Sequence, residues 1–210
     1  MTRLVLWRHG QTPANVSAII QGTLDVELSE YGRAQATAAA PVLAALQPAM
    51  IVSSSLRRTS ETAAALAALT SLPISVDDRL RERSYGEWQG LTAAAIAERW
   101  PDEYARWRAG KPVGGDVGVE ESEAIAKRVV AALQEVADAA AGRTAVVVTH
   151  ASAAGHGTSA LLGWPVAVAR TLVNLANCHW TELRLDAVRG WQLVAHNVGY
   201  ATVAEPRGAR

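Results

Sequence analysis

The apolar run Leu4-Val5-Leu6-Trp7 stops on Arg8-His9-Gly10, and polar Gln11 and Thr12 follow rather than more core. A short apolar run closed by turn residues suits a buried strand that opens into a loop. In open α/β sheets, ligands lie outside the carboxyl ends of the strands. Arg8 and His9 are therefore expected at that rim, a cation beside an imidazole able to act as a nucleophile. Gly10 lacks a Cβ, so the backbone can turn there and approach a ligand closely. Taken alone, the tripeptide is equally compatible with a strand end carrying chance polar residues. The rest of the chain decides between these readings.

The strand theme returns at Met50-Ile51-Val52, at Ile74-Ser75-Val76, and at Ala145-Val146-Val147-Val148-Thr149, which again ends on a histidine, His150. Alanine-rich segments lie between these runs. Residues 33–46 read as a helix with Ser29 as N-cap and Pro48 as its stop, because alanine is the strongest helix former. Leu56-Arg57-Arg58-Thr59 leads into a second such helix through Leu69, with the serines at 53–55 as candidate caps. Arg57 or Arg58 then falls in a first helical turn, where free N–H groups and the helix dipole attract anions. A third helix is expected from Thr92 to Arg99, interrupted by Pro101. Trp100, Tyr104 and Trp107, at i, i+4 and i+7, share one helical face. Such a stripe reads as core packing or as a pocket wall, and Trp88 belongs to the same set. Residues 111–121 are a glycine-rich loop, 122–141 an amphipathic helix stopped by Gly142, and 153–162 another helix. Residues 177–185 and 191–196 pair as a hairpin across Arg189-Gly190.

Lysine plus arginine equals aspartate plus glutamate at 20 each, so the formal net charge is zero. That balance points away from nucleic-acid and membrane-surface partners. Any anion must be met by locally placed cations. The single Cys178 excludes an intramolecular disulfide and a cysteine zinc site. No apolar stretch reaches the ~20 residues of a membrane span, and no cleavable leader pattern is visible. A cytoplasmic protein is the resulting expectation. At 210 residues, 50% of them apolar, the chain suits one α/β domain. We assign that domain to residues 1–204, with 205–210 as a disordered tail.

Strands ending at one rim would gather Arg8, His9, Arg57 or Arg58, and His150. Two imidazoles and two guanidiniums form a receptor for a phosphoryl group, since arginine presents forked donors to phosphate oxygens. One histidine can attack phosphorus while the other groups spread the transition-state charge. A proton donor for the leaving oxygen is then required. Glu82, just before the glycine-punctuated segment Tyr85-Gly86-Glu87-Trp88-Gln89-Gly90, can supply it.

Four blocks in order carry a resemblance. Arg8-His9-Gly10-Gln11-Thr12 with Asn15, Gln21-Gly22, Leu28-Ser29 and Gly32 resembles the opening of the histidine phosphatase superfamily, the phosphoglycerate-mutase-like proteins. Ser54-Ser55-Leu56-Arg57-Arg58-Thr59-Ser60-Glu61-Thr62-Ala63 resembles its second block, residues 79–91 its third, and Val147-Val148-Thr149-His150 its fourth. The resemblance implies a three-layer α/β/α sandwich, with a mostly parallel sheet carrying one antiparallel strand. It implies His9 as the nucleophile that becomes phosphohistidine. Arg8, Arg58 and His150 would hold the phosphoryl oxygens, Arg58 being preferred to Arg57 because it directly precedes a small residue. Glu82 would protonate the leaving group and then activate water. Asn15, Gln21 and Gly22 would line the phosphate and substrate side, with Tyr85 at a substrate-contact position. No cofactor and no metal are implied. The partner is a small phosphorylated metabolite, and a homodimer is compatible with the family. Within it the chain looks most like small bacterial phosphatases of phosphorylated sugars and sugar acids, among them the glucosyl-phosphoglycerate phosphatases of actinobacteria.

Two departures matter. The fourth block usually reads His-Gly, whereas here Ala151 follows His150, which is expected to narrow the pocket or shift the loop. The loop before the third long helix only approximates the family's Pro-Gly-Gly-Glu-Ser, reading Gly114-Gly115-Asp116-Val117-Gly118. The mutases of the family resemble one another in a lysine after the third block, where this chain has Gly90-Leu91-Thr92-Ala93. The lysine's absence favours hydrolysis over mutase chemistry. The other readings are a cofactor-dependent phosphoglycerate mutase, a non-catalytic protein that binds phosphate ligands, and a metal-dependent hydrolase. The remaining histidines, His156, His179 and His196, read as bystanders or structural groups.

Overall fold

A computed structural model describes residues 1–200, so the expected tail at 205–210 and the last residues of the assigned domain lie outside the described residues. Six strands form one sheet: β1 (Thr2–Arg8), β2 (Met50–Ser53), β3 (Ile74–Val76), β4 (Thr144–Thr149), β5 (Trp180–Asp186) and β6 (Gly190–Val198). Their spatial order is β3-β2-β4-β1-β5-β6. The four strands from β3 to β1 run parallel, with Leu6 beside Val147 and Ile51 beside Val146. β5 runs against both neighbours and is the one antiparallel strand of the expected sheet.

Alternation along the strands builds the layers. Successive side chains of a strand point to opposite faces. Leu4 and Leu6 join Ala145, Val147 and Leu183 beneath α6 (Ser122–Ala140) and α7 (Ala151–Leu161). Val5 and Trp7 join Ile51, Val146 and Val148 beneath α2 (Glu30–Ala44) and α3 (Arg57–Thr70). Helices on both faces of a mostly parallel sheet are the expected three-layer sandwich. A smaller cluster centred on Trp88, Ile96, Val113 and Val117 stands over the carboxyl ends of the strands. It is carried by α4 (Ala93–Arg99) and α5 (Pro101–Arg108). Two short helices complete the set, α1 (Pro13–Val16) and α8 (Val166–Ala169). No helix among the described residues is long and apolar enough to cross a membrane.

Several boundaries differ from expectation for local reasons. Ser29 caps α2 by accepting from Gly32 N–H, but that helix ends at Ala44, before Pro48, because Gln47 takes a left-handed conformation. α3 has Leu56 as its N-cap rather than a serine, since the Ser54 hydroxyl is engaged with Thr59 and His150. Trp100 is the junction between α4 and α5, so Trp100, Tyr104 and Trp107 do not share one helix. They still pack against the same cluster. α7 begins two residues earlier than read, directly after His150.

Candidate active site

The carboxyl ends of β1, β2 and β4 converge, and His9, Ser54 and His150 follow them directly. His9 is held at its backbone from two sides. Its N–H donates to Thr149 O at 3.1 Å, and its carbonyl accepts from Cys178 N–H and from Asn177 Nδ2. Gly10 N–H donates to the Thr62 hydroxyl in α3. The chain at 10–11 lies so close to the first turn of α2 that a Cβ on Gly10 would stand 2.4 Å from Gly32 O. Glycine at both positions allows the nucleophile loop to rest on that helix.

The His9 ring is 3% exposed, and its Nδ1 lies 2.7 Å from Gly10 O. A carbonyl oxygen can only accept, so Nδ1 carries the proton and Nε2 keeps its lone pair. The tautomer at His150 follows in the same way. Arg58 Nε donates to His150 Nδ1 at 3.2 Å, which leaves the proton on Nε2, 2.8 Å from Ser54 Oγ. The Ser54 hydroxyl in turn meets Thr59 Oγ1 at 2.8 Å. The two imidazoles stand 5.2 Å apart between ring centroids.

Both guanidiniums are held from behind by carbonyls. Arg58 is buried and donates to Leu24 O and Gly22 O at 2.7 Å each, which leaves one N–H free on each terminal nitrogen. Arg8 donates to Leu175 O, while its buried Nε has no partner among the described residues. Burial pushes Arg58 down to about 10, opposed by the charges of Glu82 and Asp25, so it stays cationic at neutral pH. Arg8 is lowered by burial against the pull of Glu82. The Glu82 carboxylate accepts from three amides: Arg83 N–H at 2.9 Å, Ala153 N–H at 3.1 Å and Ser152 N–H at 3.2 Å. The last two are N–H groups at the start of α7 that have no acceptor within the helix.

A cavity of about 240 Å³ is lined by Arg8, His9, Asn15, Gln21, Gly22, Arg58, Glu82 and Tyr85, together with Ile19, Ile20, Trp107 and Asn174. Eight of the nine residues singled out in the sequence thus meet at one opening. The ninth, His150, is fully buried behind Arg58 and does not line it. Ala151 does not line the cavity either, so its methyl does not narrow it. Asn15 Oδ1 accepts from Thr12 N–H and Asn177 Nδ2, and Gln21 Oε1 accepts from the Thr12 hydroxyl. Gly22 has a positive φ and faces the Gln89 side chain, where a Cβ would clash. Trp88 is wholly buried, whereas Trp107, edge-on to it at 5.8 Å, reaches the cavity. His156 bonds to Ser152, His179 to Asn197, and His196 to Thr181 and Val173, all away from the cavity. Among the described residues, no three His, Cys, Asp or Glu side chains group to hold a metal ion.

Asn174, Leu175 and Asn177 escaped the sequence reading. Ser54 and Thr62 stood inside the second block but were given no role there.

Burial holds the His9 imidazole well below its ordinary 6.5, and the Arg58 and Arg8 charges lower it further, against a pull upward from Gly10 O. His150 is lowered in the same direction by burial, then by Arg58, His9 and Arg8. Both rings are therefore neutral in the fold, while the unfolded chain takes up protons once the pH falls below about 6.5. Their contribution to stability is present above that pH and is lost as the pH falls through it. Each is expected to cost about 1.4 kcal/mol per pH unit in that range. Urea unfolding at about pH 7.5 and about pH 5.5 checks this, and a midpoint that does not drop overturns it.

The family model for the histidine phosphatase superfamily (branch 1) matches residues 4–199. Glucosyl-3-phosphoglycerate phosphatase of Mycobacterium tuberculosis is 44% identical over 188 residues, covering 86% of this chain and 84% of that protein. Phosphoserine phosphatase 1 of Hydrogenobacter thermophilus is 33% identical over 150 residues, 71% of each. A solved mycobacterial glucosyl-3-phosphoglycerate phosphatase in complex with VO3 superposes with a TM-score of 0.86 at 41% identity, covering 94% of this chain and 99% of that one.

Proposed function

This chain belongs to the histidine phosphatase superfamily, and on that premise we propose that it is a metal-independent phosphomonoester hydrolase working through a phosphohistidine on His9. The observation that carries the reading is the state of the His9 ring. It is neutral, its Nδ1 proton is committed to Gly10 O, and its Nε2 lone pair is free beside two buried guanidiniums. In the first step Nε2 attacks phosphorus, the P–O bond to the alcohol breaks, and Glu82, entering in its protonated form, gives that proton to the departing oxygen and becomes the carboxylate used in the second step. Arg8 and Arg58 take up the charge on the equatorial oxygens with their remaining N–H donors. His150 holds Arg58 by accepting its Nε–H at Nδ1. In the second step the Glu82 carboxylate takes a proton from water, the water oxygen attacks phosphorus, and the P–N bond breaks. Phosphate leaves and His9 is restored.

For the substrate we propose a small phosphorylated sugar or sugar acid, with glucosyl-3-phosphoglycerate first among the candidates. The mycobacterial relatives carry that name, and Trp107 and Tyr85 offer aromatic surface on the cavity wall, with Asn174 as a polar partner. A cytoplasmic setting and a homodimer belong to the same proposal and rest on the sequence and the family.

Phosphate release with EDTA present tests this, across p-nitrophenyl phosphate, glucosyl-3-phosphoglycerate, 3-phosphoglycerate, phosphoserine, sugar phosphates and nucleotides. Preference for the glycosylated acid is the expected result. Interconversion of 2- and 3-phosphoglycerate without net release would make the chain a mutase. Silence of the folded protein would leave a binding protein, and loss of turnover to EDTA would revive a metal-dependent hydrolase.

A further inference from the structure

The segment that carries Glu82 has little regular structure, consisting of a 3₁₀ turn at Asp78–Leu80 followed by extended backbone. Its carbonyls need donors from elsewhere. Thr149 Oγ1 supplies one, to Leu80 O at 2.7 Å. Arg128, on α6, supplies the rest. Its Nη1 donates to Arg79 O and to Arg81 O, each at 2.7 Å, and its Nη2 to Glu82 O at 3.1 Å. The two remaining N–H groups go to one carboxylate: Nε to Glu120 Oε1 at 2.7 Å and Nη2 to Glu120 Oε2 at 2.8 Å. A guanidinium has five donors, and all five are used.

Glu120 closes the ring from the other side. Its Oε2 accepts from Ser84 N–H at 3.1 Å, its own N–H donates to Ser84 O at 2.8 Å, and its carbonyl accepts from Arg83 Nε at 2.7 Å. Burial alone would push the Glu120 carboxyl up, but donation from Arg128 and Ser84 carries it below the usual range. The pair therefore grips the backbone on both sides of the Glu82 Cα, at the carbonyls of Arg79, Arg81 and Glu82 and at Ser84, and it holds the Arg83 side chain as well. Neither residue lines the cavity.

We propose that Arg128, seated by Glu120, is the positioning residue that holds Glu82 at the distance and angle needed to protonate the leaving oxygen. The inference rests on the proposed acid role of Glu82. Holding the backbone alone would not place the carboxyl, but its oxygens are tied to Arg83, Ser152 and Ala153. With main chain and side chain both anchored, the acid stays aimed at the cavity. Lysine cannot reproduce a five-donor fork, so Arg128→Lys is expected to behave like Arg128→Gln.

The test is a ratio. For p-nitrophenyl phosphate and for an alkyl phosphate that the wild type turns over, kcat/KM reports events up to transfer onto His9. Misplacing the acid penalises the alkyl ester, whose alkoxide needs a proton, and spares the aryl one. Arg128→Gln and Arg128→Lys are expected to raise the aryl-to-alkyl ratio at least tenfold. In the double variant with Glu82→Gln, the alkyl rate should fall no further than with Glu82→Gln alone. A purely structural role would lower both substrates equally, and equal or additive losses overturn the proposal. If Glu82→Gln leaves the ratio unchanged, the acid role fails and this inference falls with it. A raised ratio for Glu82→Gln but not for the Arg128 variants refutes the positioning alone. Should Arg128→Gln not fold, Glu120→Gln must raise the ratio in the same direction, and an unchanged ratio there also overturns the proposal.

Discussion

His9→Ala is expected to abolish turnover, lowering kcat by roughly 10⁴-fold or more, and to remove the acid-labile, base-stable protein-bound phosphate along with it. The size follows from the geometry. Among the described residues nothing else at the cavity offers a neutral nitrogen lone pair, because Arg8 and Arg58 are cations and both His150 nitrogens are engaged with Arg58 and Ser54. The change should leave the fold intact, since it removes a buried neutral ring and frees only the Gly10 carbonyl. It should also shallow the loss of stability toward acid pH, because one of the two depressed imidazoles is gone. Rapid-quench trapping of labelled phosphate and intact-mass measurement read the covalent state directly. Substantial turnover by a folded His9→Ala variant would show that phosphate passes to water without this residue.

Glu82→Gln carries the second large effect, a drop of roughly 10²- to 10⁴-fold in kcat/KM on alkyl phosphates against a much smaller one on p-nitrophenyl phosphate. The carboxyl lies on the cavity wall with three amide N–H groups around its oxygens. A glutamine keeps the size and one acceptor, but its amide cannot give up a proton to an alkoxide. It also turns an NH₂ toward N–H groups at the start of α7, which should cost about 1 kcal/mol of stability. Comparing substrates on one protein separates the two effects, since a stability loss is shared by both. Equal losses on the two esters would remove Glu82 from the acid role.

The strands were legible as short apolar runs that stop at turn residues, and the layered architecture was implied by the four-block resemblance. In the sheet, the two-residue period of a strand sends odd and even residues of Leu4–Trp7 and Ala145–Val148 into the two helical layers. Ser29 capping α2 is equally local, a hydroxyl meeting an N–H three residues on. The strand ends at His9 and His150 followed from apolar runs that stop abruptly, and the four ordered blocks located Arg58, Glu82 and the substrate-side residues. Trp88 and Trp107 mark where such reasoning stops. Both read as members of one aromatic set, yet one is sealed in the cluster and the other faces the cavity. The split is made by the junction at Trp100, which sets the direction of α5.

The sequence by itself therefore determined the strand runs, their ends and the chemical groups at them, because each depends on residues within a few positions of one another. Only the tertiary structure decided how those groups are held. Leu175 O on Arg8, Asn177 on His9 O, Ser54 on His150, and Arg128 on the carbonyls at 79–82 join segments roughly 50 to 170 residues apart. These are single side-chain hydrogen bonds, to irregular backbone carbonyls or, between Ser54 and His150, to another side chain. They have no period and no fixed spacing, and they exist only once the sheet has brought the strand ends together.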